Sequence, residues 1–378
     1  MKKSLTVYIF VAVIILLHLI VFVKLRRSAS PEAPAPEASV TETPGVTEAD
    51  VPQLDAKARA AVEAAKPRAV PSAPAVPQPP AVAKPSAPAG MPGPYYNGFF
   101  RVAEKAMPDS LKKTVSQVRS GVVIDLDTNT ILWQKNASAV HPIASLTKLL
   151  TSIMLMEYLE THPAESLQTK ITITANDRKY FKNHKINGVY LDTNEQYTLD
   201  EMLMCMLVAS ANDCAYIVGE HIAGGNAEQF VSMMNARARE LGLTDMKFHN
   251  ANGLPVNAAS GRQENTGTAL DVAYLGLRAS KYADIMKWGG TLSSKIRADK
   301  KNPFDINSTN HLLRDKVPGV TGLKTGYTDG AGYCIVVPCD RGGKKRMVVA
   351  MGVNANGTDR GKLRDKIVKQ LLDWSYGL

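Results

Sequence analysis

Ser145 and Lys148, in the string Ser145-Leu146-Thr147-Lys148, supply the two groups that a covalent acyl transfer needs: a hydroxyl to attack a carbonyl and an amine to take its proton. A serine hydroxyl is a poor nucleophile at neutral pH without a base. An amine is such a base only if burial or a second cation lowers it from its usual pKa of ~10.4. Two further strings complete a candidate set. Ser210-Ala211-Asn212 offers a second hydroxyl beside an amide, and Lys324-Thr325-Gly326 offers a cation and a hydroxyl able to hold a carboxylate. Lys324 is also the second cation that would depress Lys148. Each string alone is weak: Ser-x-x-Lys occurs as a surface helix pair, Ser210 with Asp213 can be a mere capping box, and Lys-Thr-Gly can be a strand running into a glycine turn. Three of them in this order on one chain favour the catalytic reading.

The elements around these strings must bring them together. Pro142 suits a helix's first turn and the run to Leu159 is largely apolar, so the spacing predicts a helix with Ser145 and Lys148 on one face. Its start would aim backbone N–H groups at the reacting carbonyl, making the Ser145 amide an oxyanion donor. Residues 121–126 and 131–134 read as a hairpin, 334–338 and 347–353 as a second, with 319–324 as a strand before it. Residues 360–376 have helical spacing. Between the hairpins, Thr198 with Glu201 and Asn226 with Gln229 mark helix starts, and Gly224-Gly225 marks a stop. This order predicts an α+β fold: an antiparallel sheet built from both ends of a catalytic domain, flanked by helices, with a helical lobe of about 142–310 inserted.

The 378 residues divide into three unlike regions. Residues 5–23 carry no charged side chain and, at ~1.5 Å per residue, reach most of the way across a ~30 Å hydrocarbon layer. Region 1–27 thus reads as an N-terminal membrane anchor, the alternative being a signal peptide cut near Ser28 to Ser30. Fifteen of the 22 prolines fall within residues 28–94, too little apolar area to offset ordering, so 28–106 reads as a disordered tether. The catalytic domain is expected over 107–378.

The resemblance now becomes specific. From about Val115 onward the chain resembles the serine D-alanyl-D-alanine carboxypeptidases of the low-molecular-weight penicillin-binding proteins, which have a β-lactamase/transpeptidase-like fold. Beyond the three strings, the likeness is carried by Pro142-Ile143-Ala144, Asp213, Phe248-His249-Asn250, Asn252-Gly253-Leu254, and the run from Gly322 through Asp329 to Ala331-Gly332-Tyr333-Cys334. It implies that Ser145 attacks the penultimate D-alanine carbonyl of a peptidoglycan stem peptide while Lys148 takes its proton. Ser210 would relay a proton to the leaving D-alanine, and Asn212 would position the substrate amide. Lys324 and Thr325 would bind the terminal carboxylate; the N–H of Tyr327, after Gly326, would join that of Ser145 in the oxyanion hole. β-Lactams would acylate the same serine.

A carboxylate-binding arginine is expected near the last strand. Counting back from Leu371-Leu372 selects Arg364, and counting forward from Met351-Gly352 selects Arg360; Arg364 is the preferred one. The sequence departs from the family in placing Tyr327 where a histidine often stands. Many relatives add a β-rich domain and a C-terminal membrane helix, for which the N-terminal segment would substitute here, leaving the enzyme in the cell envelope with its catalytic domain outside the cytoplasmic membrane.

Cys205, Cys214, Cys334 and Cys339 each lie in an apolar run and read as buried free thiols. The histidines lack metal-ligand spacing, so neither a metal nor another cofactor is expected. The net charge of +10 is spread without a nucleic-acid motif, which points to an anionic wall or membrane surface and away from DNA or RNA. The rival readings are a DD-endopeptidase, a transpeptidase, a β-lactamase, and a non-catalytic penicillin-binding wall sensor. No Glu-x-x-Leu-Asn string follows Ser210 to serve a β-lactamase.

Overall fold

Alternation along the hairpin strands decides the architecture. Val122 and Ile124 face one apolar core while Val123 faces another; Met347, Val349 and Met351 alternate with Val348 and Ala350 in the same way. A sheet whose strands bury both faces must sit between two layers of helices. A computed structural model describes residues 95–96, 99–298, 302–353 and 361–378. The expected anchor at 1–27, most of the expected tether, and Arg360 lie outside the described residues. Among the described residues, no helix is long and apolar enough to cross a membrane.

The main sheet has seven strands in chain order: β1 (Tyr95–Tyr96), β2 (Phe100–Val102), β3 (Ser120–Asp125), β4 (Thr130–Lys135), β5 (Lys324–Thr328), β6 (Gly332–Arg341) and β7 (Lys344–Val353). Their spatial order is β1-β2-β4-β3-β7-β6-β5, so strands from both ends of the folded region meet at β3 and β7. On one face lie the helices between the hairpins, including α1 (Lys148–Thr161), α2 (Leu199–Val208), α3 (Asn212–Ile222) and α4 (Ala269–Ala279). On the other, α5 (Lys362–Tyr376) buries Ile367, Val368, Leu371 and Leu372. The fold is α+β, as the sequence predicts.

Four details differ from the sequence reading. The pairing of β2 with β4 is parallel, so the sheet is not wholly antiparallel. β2 also begins before residue 107: Phe100 is buried and its ring meets Phe99 edge-on, which gives this three-residue strand the apolar area that holds it beside β4, with β1 outside it at the sheet edge. Residues 319–323 do not form a regular strand, because Gly319 and Gly322 take left-handed φ values of 78° and 141°; the strand starts at Lys324. Finally, His141–Pro142 is a short strand paired with Thr266–Gly267 rather than a helical turn. The chain then passes through a 3₁₀ turn, Ala144–Thr147, before α1 begins at Lys148.

The helix starts follow local chemistry. Thr198 and Glu201 form a reciprocal capping box at α2. Ser210 and Asp213 do not: the N-cap of α3 is Ala211, and Asp213 turns instead to the backbone N–H groups of Val189 and Tyr190. All four cysteines are free and buried, with Cys334 and Cys339 in the cores on opposite faces of the sheet.

Candidate active site

The 3₁₀ turn sets Ser145 one helical step ahead of Lys148. Lys148 is 0% exposed, and its Nζ donates to Ser145 Oγ at 3.0 Å, Asn212 Oδ1 at 2.7 Å and the Asn252 carbonyl at 2.6 Å. Counting donors gives the chemistry. An ammonium satisfies all three partners, whereas a neutral amine has two N–H donors and one lone pair. The Asn252 carbonyl and the Asn212 carboxamide oxygen have no proton to give. The lone pair of a neutral Lys148 is therefore left for the Ser145 hydroxyl, the arrangement a general base requires. Burial, then the nearby Lys324 ammonium, hold Lys148 well below the ordinary lysine range, with Asp213 and Cys214 pulling the other way.

The turn is held from beneath by the 249–254 loop. Asn265, 0% exposed, accepts the Ile143 N–H on its carbonyl and donates its amide to Thr147 Oγ1 and the Asn250 carbonyl, while its Oδ1 accepts the His249 N–H. The Ala251 carbonyl accepts from Thr151 Oγ1. Gly253 has φ 86°, and a Cβ there would stand 2.0 Å from the Ala144 carbonyl oxygen, so only glycine lets the loop pass under the turn.

Ser210 occupies the opposite wall. Its φ of 59° is left-handed, unusual for a side chain that gains nothing locally from it, and of the kind found where surrounding structure over-determines a site. The turn is enforced from α2, whose Cys205 carbonyl accepts from both Ala209 and Ala211. Asn212 Nδ2 donates to Asn187 Oδ1 at 2.6 Å, so the amide that holds Lys148 is itself oriented.

The third wall is the free edge of β5. Lys324, 1% exposed, donates to Ser210 Oγ at 2.9 Å and to the Thr325 carbonyl at 2.8 Å. Burial and then Arg364 lower it to about 7. Thr325 Oγ1 shares a 2.5 Å hydrogen bond with Thr309 Oγ1. A Cβ on Gly326 would lie 3.0 Å from the Ser145 nitrogen, so the glycine lets the strand press against the serine's own amide. The Tyr327 side chain is half exposed and points to Asp329 and Tyr333.

Ser145, Lys148, Ser210, Asn212, Lys324, Thr325 and Gly326 are thus brought together: a hydroxyl, a depressed amine, a second hydroxyl and a strand edge that carries a buried cation beside a threonine hydroxyl. A profile of the D-alanyl-D-alanine carboxypeptidase family matches residues 108–355. The chain belongs to that family.

Within the D-alanyl-D-alanine carboxypeptidase family, the chain is 31% identical over 264 residues to the carboxypeptidase DacF of Bacillus subtilis, covering 69% of this chain and 62% of that protein. It is 30% identical to a D-alanyl-D-alanine endopeptidase of Haemophilus influenzae, covering 60% of this chain and 72% of the relative. Among solved structures it is similar to the cefotaxime-bound form of penicillin-binding protein D2 from Listeria monocytogenes, at 25% identity and a TM-score of 0.58, covering 68% of this chain and 96% of the other.

Arg364 is not drawn to the cleft with the others. It is 3% exposed, and its Nε and Nη2 donate to Asp365 Oδ1 at 2.8 and 2.7 Å while Nη1 reaches the Cys334 carbonyl at 3.3 Å. Asp365 takes the guanidinium fork that the sequence reading assigned to a substrate carboxylate. The sequence gives no site role to Asn252, Asn265 or Thr309. Asn252 lies in a string quoted for the family likeness, but its contribution is a backbone carbonyl, which no side-chain pattern reveals. Among the described residues no cluster of three or more His, Cys, Asp or Glu could hold a metal ion.

Proposed function

We propose that this protein is a serine-type DD-carboxypeptidase of the bacterial cell envelope, removing the terminal D-alanine from peptidoglycan stem pentapeptides through an acyl-enzyme on Ser145. The observation that carries the reading is the Lys148 contact set, which leaves a neutral lysine's lone pair to the Ser145 hydroxyl. Ser145 Oγ bonds to the penultimate D-alanine carbonyl carbon as its proton passes to Lys148 Nζ. The Ser145 and Tyr327 N–H groups stabilise the oxyanion. The C–N bond breaks as a proton is delivered through Ser210 to the leaving amine. Asn212 orients the substrate amide, and Lys324 and Thr325 hold the terminal carboxylate, with Arg364 adding positive potential from behind. Water then attacks the ester carbonyl as Lys148 takes its proton, and the acyl C–Oγ bond breaks as Lys148 returns that proton to Ser145 Oγ.

β-Lactams, which carry a strained amide and a carboxylate in the same relation, are expected to acylate Ser145 and deacylate slowly. Anchoring through residues 1–27, with the domain held off the membrane by the proline-rich stretch, belongs to the same proposal. A second reading, DD-endopeptidase, is favoured by the relatives of that name, one of them 30% identical.

The test is incubation with a stem pentapeptide and with cross-linked muropeptides, followed by mass spectrometry. Release of D-alanine from the pentapeptide, absent in Ser145→Ala, supports the carboxypeptidase. Cleavage of cross-links alone selects the endopeptidase, and β-lactam binding without any turnover leaves a sensor.

A further inference from the structure

Lys324 is a buried cation with a second cation behind it, and something must keep that second charge in place. Arg364 sits at the start of α5, with its Nη1 on the carbonyl of Cys334, the β6 residue directly opposite Gly326 and two residues from the Lys324–Val336 pair. The guanidinium lies close over the glycine that precedes the helix: a Cβ on Gly361 would be 3.3 Å from its Cζ and Nη2. Two of its nitrogens converge on a single oxygen, Asp365 Oδ1. Asp365 is itself 5% exposed, and its other oxygen, Oδ2, is buried without a hydrogen bond, 3.2 Å from His311 Nδ1.

We propose that Asp365 is a positioning residue for the anion-binding edge: it fixes the Arg364 guanidinium behind β5 and offsets its charge, so that Lys324 remains an ammonium able to hold a carboxylate. A buried arginine left uncompensated repels a neighbouring ammonium strongly in low dielectric, and its carboxylate partner reduces that repulsion. The half-used carboxylate fits this role, since one oxygen is spent on the fork and the other faces His311. The charged and titratable groups around the set are Lys148 from α1, with Asp213 and Cys214 beside it on α3, Cys334 from β6 with Arg119 and Glu264 near it, and His311, Arg314 and Asp315 from the segment before β5. Apart from the Cys334 backbone carbonyl on Nη1, none of these is a hydrogen-bond partner of Arg364 among the described residues, and Asp365 is the one carboxylate that meets it.

The inference deepens the proposed function and rests on it only for the purpose of the lysine, since the charge state of Lys324 can be read without turnover. In full-length protein labelled with ¹³C-lysine, the Lys324 Cε signal, assigned with Lys324→Arg, is titrated in wild type, Asp365→Asn and Arg364→Gln. Asp365→Asn should move the midpoint down by roughly half a unit or more from the wild-type value near 7, and Arg364→Gln should move it up by a similar amount. Simple loosening of the site would admit water and raise both, so opposite signs separate positioning from structural support. Unchanged midpoints in both variants, or shifts in the same direction, overturn the proposal. If Asp365→Asn does not fold, Asp365→Ser is titrated in its place, and a midpoint that does not fall overturns the proposal. Labelled penicillin added to the same samples keeps the two ideas apart. A wild type that titrates as expected but takes no label sinks the function and not the positioning role.

Discussion

Two lysines within one cleft have opposite duties, and their surroundings divide them. In the proposed reaction Lys148 must be neutral to accept the Ser145 proton, while Lys324 must be charged to hold a carboxylate. With Lys148 held well below its ordinary range and Lys324 at about 7, acylation of free enzyme by a carboxylate-bearing substrate should fall above roughly pH 7 as Lys324 deprotonates. A bound carboxylate favours the ammonium and raises its pKa, so the alkaline limb of kcat should lie at higher pH than that of kcat/KM. Rate profiles from pH 5 to 10 measure both; coincident limbs would remove Lys324 from carboxylate binding. Lys148→Arg keeps the charge but cannot supply a neutral base, and we expect acylation slower by about 10²–10⁴-fold. Stopped-flow acylation by a chromogenic cephalosporin checks this, and a loss below tenfold would contradict the role. The serine-lysine spacing was legible in the sequence because it is local. The partners that aim Lys148, Asn212 Oδ1 and the Asn252 carbonyl, lie 64 and 104 residues away, and their convergence is a tertiary fact.

At the scale of elements, the site depends on a turn that the sequence pattern misassigns. A proline before an apolar run suggests a helix start, yet Pro142 sits in a two-residue strand and Ala144 takes φ 47°, because Asn265 and the 249–254 loop grip the turn from below. Asn265→Ala strands the His249 N–H and removes both amide contacts, which should cost about 1–3 kcal/mol. Thermal melts should show a drop of several degrees, with acylation reduced as well because Ser145 loses its footing. An unchanged melting temperature would show that the turn holds itself. The hairpins β3–β4 and β6–β7 and the capped α2 were legible, since period-two alternation and a Thr-x-x-Glu cap are written in adjacent residues. Strand β2 was not: three residues give too short a pattern to separate from the proline-rich stretch before them.

For the whole molecule, strands from both ends of the folded region lie side by side at β3 and β7, so neither end folds without the other. The buried core begins at Phe100, within a sheet closed by β5 and covered by helices on both faces. A chain lacking residues 1–94 should therefore fold and take labelled penicillin at the full-length rate, with its reach to the wall altered rather than its chemistry. Gel-shift labelling of both proteins tests this, and loss of labelling by the shorter one would extend the catalytic unit into the proline-rich region. In the proposed reaction the acyl group is carried on Ser145 Oγ. Peptide mass spectrometry of the protein after brief exposure to a penicillin addresses it most directly: the penicilloyl mass should appear on Ser145 in wild type and vanish in Ser145→Ala. An adduct on any other residue, or none on folded wild-type protein, contradicts it.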